Sequence, residues 1–349
     1  MTMPKHTPSG LWHIRLGNLT LLLHRRTWLA SLLVLCLLLA LVIVAISFGT
    51  ARMGVAEVLA TLSGQGSKLN DIMLFKIRMP RLAAVIVAGL AMGMSGCLIQ
   101  TLVRNRLATP DMVGVNEGAS LAVIGFALYL TIGSWPWWAS PLGAVLAAVA
   151  LFVLCRRPGE QGYLFIVIGI ALSELLGAIG DFLMASQPLV HLGSIYLWTM
   201  GHFAGASYQT VGPIALILLA LCPLLAWLNR PLALLRFGEA TAQNLGVKVA
   251  ALQLAVLGVA ILVAALGTAI GGPVVFIAMA APIIASWLAR DHLAPIWLAA
   301  LCGAVLLVGS DTLARLLAQP EEIPTGIMTR LLGGVLLLIL LLKDRKGSD

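Results

Sequence analysis

The chain has 349 residues, of which 60% are hydrophobic and only 10% charged. That balance excludes a soluble globular domain and indicates a polytopic membrane protein. In such a chain a net charge of +8 reads as Lys and Arg left on the cytoplasmic side, not as a nucleic-acid surface.

The first element to weigh is the N-terminal apolar run. Arg25 and Arg26 precede it, as in a signal peptide. The run Trp28–Phe48 is about 20 residues long, which is spanning length, and no A-x-A site follows. It reads as an uncleaved first span. Nine more runs of bilayer-crossing length follow: Arg81–Leu102, Val113–Ile132, Trp137–Cys155, Tyr163–Ala185, Val211–Leu228, Val249–Gly267, Val274–Ala289, Pro295–Leu313 and Thr325–Leu342. An even number puts both termini on one side. The segments on the N-terminal side carry 15 of the 22 Lys and Arg residues and the opposite segments 7, so both termini are expected in the cytoplasm. This divides the chain into a cytoplasmic N-terminal segment 1–27, a transmembrane domain 28–343 and a tail 344–349.

Within these spans the small residues are spaced for close helix packing. Gly89, Gly93 and Gly96 lie in the second span, and Gly169, Gly177 and Gly180 in the fifth. Small side chains let backbones approach in lipid, where apolar side chains alone give little preference for another helix. Gly271-Gly272-Pro273 predicts a helix interrupted at or near the membrane. The five cysteines all fall in apolar runs without a C-x-x-C pair. They read as small buried hydrophobes, not as disulfides or metal ligands.

The most polar interval in the middle of the chain is Arg230–Lys248, a loop on the cytoplasmic side. Within it Gly238–Gly246 predicts a short helix. Glu239 suits the positive end of the helix dipole, and Gly246 a left-handed position after the last turn. Taken alone, the stretch fits an ordinary amphipathic connector as well as a docking element.

Several motifs in order carry a family resemblance. Arg78–Val123, RMPRLAAVIVAGLAMGMSGCLIQTLVRNRLATPDMVGVNEGASLAV, resembles the signature of permease subunits of iron–siderophore, haem and vitamin B12 ABC importers. Leu235–Val247 resembles their ATPase-docking loop, Gly271–Pro282 their GP..FIGL..P turn, and Gly309–Gly326 their GAD..AR…P.ELP.G end. The resemblance runs from about Ala51 to Leu342. It implies an all-α permease of about ten transmembrane helices, with the type II ABC importer fold and no enzymatic activity of its own. The partners it implies are a second permease subunit, two ATP-binding subunits below and a periplasmic substrate-binding protein above. No G-x-x-x-x-G-K-[ST] occurs in the chain, so ATP and Mg belong to the partner ATPases and no cofactor is expected on this subunit.

The resemblance also assigns roles. Phe237, Gly238, Glu239, Ala240, Gln243, Leu245 and Gly246 match the ATPase-coupling helix. Arg78, Arg81 and Arg315 match positions that dock the binding protein, where guanidinium forks suit carboxylates; interfacial snorkelling is the plain alternative. Glu174 and Asp181 lie seven apart in the fifth span, on one face with Gly177. Acidic residues within a span point to a translocation path or subunit interface, or to an ion relay in a secondary transporter. His191 and His202 in the outer loop, and His292 on the cytoplasmic side, lack the neighbours a metal site needs.

Departures from the family pattern refine the reading. Arg106 replaces the proline of RNPLA, Ile283 and Ser286 stand where His and Arg are usual, and Gly333-Gly334-Val335 replaces G.P.F. A homodimer would carry each departure twice, so a heterodimer is expected, with a homodimer as the alternative. The Leu-Gly-Gly ending resembles the second permease of catecholate-siderophore systems. The function expected is passage of a ferric siderophore through the bacterial inner membrane. The alternatives are haem or vitamin B12 as cargo, and an ion-coupled secondary transporter.

Overall fold

The computed structural model describes residues 11–16, 19–48, 53–130, 135–155, 162–188, 192–290, 295–317 and 321–345. His191 and His292 lie outside the described residues, as do positions 1–10 and 346–349. Ahead of the helices, Leu11–Leu16 (β1) and Leu19–His24 (β2) pair as an antiparallel hairpin within the N-terminal segment.

The long helices are α1 (Arg25–Ser47), α4 (Met79–Val103), α7 (Gly162–Ala185), α9 (Tyr208–Leu234), α11 (Val249–Gly271), α13 (Ile296–Leu317) and α14 (Thr325–Arg345). Shorter apolar helices are α5 (Val115–Gly125), α6 (Ala139–Cys155) and α12 (Ile277–Ala289). Small helices fill the connections: α2 (Val55–Leu62), α3 (Lys68–Asp71), α8 (Gly193–Thr199) and α10 (Glu239–Asn244). Among the described residues, six helical stretches are long and apolar enough to cross a membrane and four more are apolar but shorter. Each coincides with one of the ten predicted spans, because length and apolarity alone define a span. The largest shifts are at the second span, where continuous helix begins at Lys68 and not Arg81, and at the sixth, where α9 runs on to Leu234 and not Leu228.

Helix α4 is the centre. Its residues from Ala84 to Thr101 are largely buried against α11, α12 and α13. The glycines allow this directly. A Cβ at Gly93 would lie 2.2 Å from the Ala299 carbonyl oxygen, and one at Gly96 would lie 1.7 Å from that of Ala278. Gly303 on α13 meets Gly89 in the same way, its would-be Cβ 2.2 Å from the Gly89 oxygen. Backbones at that distance leave no room for any side chain, as the small-residue spacing requires. Polar side chains add interhelical bonds. Ser95 Oγ donates to the Ala260 carbonyl at 2.7 Å, and Gln100 Nε2 to that of Met279 at 3.1 Å.

Two large apolar cores result, beside two small ones around Leu74 and Ile195. One joins α1, α4, α9, α12, α13 and one face of α11; the other joins α5, α6 and α7 to the opposite face of α11 through Leu257, Ile261, Ala264 and Ala265. The predicted break at Gly271–Pro273 is present. Helix α11 stops at Gly271, Gly272 has φ 85°, and α12 starts only after Phe276, itself left-handed at φ 72°.

Candidate functional site

Three places gather the polar residues of this apolar chain. The first is α10. Gly238 (φ 99°) sets the chain into the helix, and Ala242 is its buried anchor. At the other end Gly246 is left-handed at φ 85°. Its N–H donates to the Gln243 carbonyl at 2.9 Å, and the Val247 N–H to that of Ala242 at 3.0 Å. This paired closure satisfies carbonyls that a helix end otherwise orphans. Glu239, Ala240, Gln243, Leu245 and Gly246 are exposed, and Phe237 is 70% exposed. Glu239 accepts from Gln253 Nε2 of α11 at 3.1 Å and lies 3.9 Å from Arg104 Nη2, the left-handed residue that ends α4.

The second place is a buried charge cluster where α1, α4, α13 and the start of α14 converge. Arg81 Nε and Nη2 donate to Asp311 Oδ1 at 3.2 and 2.9 Å, and its Nη1 donates to Glu322 Oε2 at 2.5 Å. Thr325 Oγ1 also donates to Asp311 Oδ1, at 2.8 Å. Arg315 Nε lies 3.2 Å from Asp311 Oδ2, an ion pair without hydrogen-bond alignment. Its Nη1 and Nη2 instead reach the carbonyl of Ala45, and Nη1 that of Phe48. Arg78 Nη1 donates to the Ile46 carbonyl. Helix α1 has no basic residue in its last turn, so arginines from two distant elements cap its free carbonyls and complement its dipole.

Arg78, Arg81 and Arg315, expected at a docking surface, are therefore all buried and bonded within this chain. Desolvated guanidinium groups need carboxylate or carbonyl partners, and the fold supplies them. His202 stands beside the cluster in the loop after α8. Its backbone N–H donates to the Gly271 carbonyl at 2.7 Å, while its Nδ1 is buried without a hydrogen-bond partner. Burial lowers the imidazole pKa and Arg81 lowers it further, partly offset by Glu322 and Asp311.

The third place is the polar face of α7. Glu174 and Asp181 are exposed on it. Gly177 between them faces Glu117 of α5, whose Oε2 would lie 3.3 Å from a Cβ there. Glu117 is within electrostatic reach of Asp181, Glu174 and Arg330 of α14. Behind it, Asn116 Nδ2 donates to Asp111 Oδ1, and Thr268 Oγ1 to Asn116 Oδ1 at 3.2 Å. Glu117 and Arg330 escape the sequence reading because each is a lone charge at a span end; their nearness to α7 is tertiary. Asp311 and Glu322 stand in the Gly309–Gly326 motif. An acid four residues before an arginine within one apolar helix was the available signal for the Asp311–Arg315 pair.

Comparison with known proteins fits these features. Residues 37–343 match the model of the FecCD transport family. The chain is 32% identical to the ferric enterobactin transport system permease protein FepG of Escherichia coli (strain K12), over 90% of this chain and 97% of that protein. It is 33% identical to the hemin transport system permease protein HmuU of Yersinia pestis, over 92% and 97% respectively. A solved structure described as an inward-facing conformation of a metal-chelate type ABC transporter shares the fold, with a TM-score of 0.79 at 24% identity, covering 90% of this chain and 98% of that one. These likenesses set aside the ion-coupled secondary transporter, and the chain is a member of the FecCD transport family, the permease subunits of ABC importers.

Proposed function

We propose that this permease moves a ferric siderophore inward across the bacterial inner membrane, paired with a sister permease, driven by two ATP-binding subunits and supplied by a periplasmic binding protein. The observation that carries the reading is α10. A six-residue helix closed at both ends by positive-φ glycines, rooted by Ala242 and presenting Phe237 and Leu245 to solvent, is shaped to enter a groove of another protein. Phe237, Gly238, Glu239, Ala240, Gln243, Leu245 and Gly246 would form that contact.

Glu174, Gly177 and Asp181 are assigned to the translocation path or the subunit interface. Charged side chains are costly against lipid, so an exposed face carrying Glu174, Asp181 and Arg330 calls for water or a second subunit. The arginines Arg78, Arg81 and Arg315 serve docking of the binding protein from beneath, by holding the outer ends of four helices in place. Both termini lie in the cytoplasm on this reading.

The test is uptake with the partner subunits present. Ala240→Trp or Gly246→Val should abolish ferric siderophore uptake while the complex still reaches the membrane; normal uptake in both variants overturns the coupling role. Growth on ferric siderophore, haem or cobalamin as sole source identifies the cargo, and growth on haem or cobalamin alone would reject the siderophore.

A further inference from the structure

The carboxylates that hold Arg81 differ in access to water. The side chain of Asp311 is 4% exposed and that of Glu322 25%. Asp311 is also bound by Thr325 and paired with Arg315, so it belongs to the interior. Glu322 lies three residues ahead of α14 and reaches Arg81 from the rim. If Glu322 lets go, Arg81 keeps its two bonds to Asp311 and no buried charge is stranded. Releasing Asp311 instead would strand two guanidinium groups. Glu322 is thus the limb that opens at least cost.

What it holds is a chain of close backbone contacts. Four residues on, the Gly326 N–H donates to the Gly201 carbonyl at 2.8 Å. A Cβ on Gly326 would lie 2.1 Å from the Met200 oxygen, and one on Gly201, left-handed at φ 81°, would lie 2.6 Å from that of Pro273. The next residue, His202, bonds to Gly271 at the end of α11. The start of α14, the loop after α8 and the break between α11 and α12 therefore stack on one another, and Arg81 of α4 reaches this stack through Glu322.

We infer that Glu322 is a releasable latch, whose ion pair with Arg81 seats residues 321–326 at the start of α14 and, through them, holds the loop of residues 200–206 on the α11–α12 break. With the latch closed these segments form one rim; with it open residues 321–326 and the 200–206 loop are free to lift while α4 and α13 stay joined through Asp311.

Hydrogen exchange of the purified full-length chain in lipid nanodiscs tests this without reference to transport. Glu322→Gln removes the charge at nearly constant shape. Exchange in residues 200–206 and 322–328 should accelerate about tenfold, as for local opening, with residues 85–100 of α4 unchanged. Arg81→Lys keeps a cation but lacks the fork needed to hold two carboxylates, and should accelerate the same two segments. Unchanged exchange in both segments overturns the latch. So does acceleration spread evenly over α4, which would make Glu322 a general stabiliser. Should Glu322→Gln not accumulate, Glu322→Asp, one methylene too short to span the gap, is read by the same outcomes. Because the readout lies within this chain, failure of the latch leaves the importer reading standing, and loss of uptake in the α10 variants leaves the latch standing.

Discussion

Gly333 of α14 lies directly against Phe276, the left-handed residue just before α12: a Cβ on Gly333 would sit 2.3 Å from both Cβ and Cγ of Phe276. A non-glycine residue at φ 72° costs on the order of 1–3 kcal/mol and persists only where its surroundings hold it. Gly333 is the space that lets the Phe276 ring stay there. Gly333→Ala is expected to lower stability by about 1–3 kcal/mol through overpacking. Gly334→Ala, with nothing within 4 Å, should be neutral or stabilising by up to about 1 kcal/mol from helix propensity. Thermal melting of the purified protein distinguishes them, and equal effects at the two positions would refute the fit.

The buried cluster gives a non-additive expectation. Asp311→Asn leaves Arg81 and Arg315 undercompensated and should cost about 3–5 kcal/mol. Arg81→Met combined with Asp311→Leu removes one charge of each sign and should cost less than the two single changes together. A strictly additive cycle, measured by chemical denaturation in detergent, would show that the pair is not coupled.

His202 should make stability fall on acidification. Its folded pKa is lowered, by burial first and by Arg81 second, relative to an unfolded value of about 6.5. Above the unfolded value both states are neutral and stability is full. Below it the unfolded chain binds the proton first, so stability declines until the pH passes the folded value. Melting temperatures at about pH 7.5 and about pH 5 should differ less in His202→Gln than in the parent. An identical difference in both would exclude His202 as the source.

Glu117 should matter for transport more than for folding. It packs on Gly177 between Glu174 and Asp181, yet it caps no helix and holds no buried cation among the described contacts. Glu117→Gln is expected to lower initial uptake on the order of tenfold, equivalent to about 1.4 kcal/mol in the limiting barrier, with melting unchanged. Parallel loss of both would make it a structural residue.

Much of this was legible from residues alone. The ten apolar helices follow from length and hydropathy, and α10 from Glu239 and Gly246 bounding a short polar stretch. The interrupted helix follows from Gly271-Gly272-Pro273. What stayed hidden depends on partners far apart in sequence. Arg81 meets Asp311 across 230 positions, so an arginine at a span end that reads as a docking or snorkelling cation is satisfied inside the chain. Phe276 carries no mark of a left-handed backbone, and its compensation lies in another helix. Glu117 gains its meaning only when α5 packs against α7.

The glycine seam of α4 has a mechanical consequence. Where Gly89, Gly93 and Gly96 meet Gly303, Ala299 and Ala278, backbone rests on backbone with no flexible side chains between. Such a joint has no soft layer to shear, so small relative slips between α4, α12 and α13 meet backbone at once. Helix α11 joins the same block, its Ala260 carbonyl held by Ser95 of α4 while its opposite face packs on α5, α6 and α7.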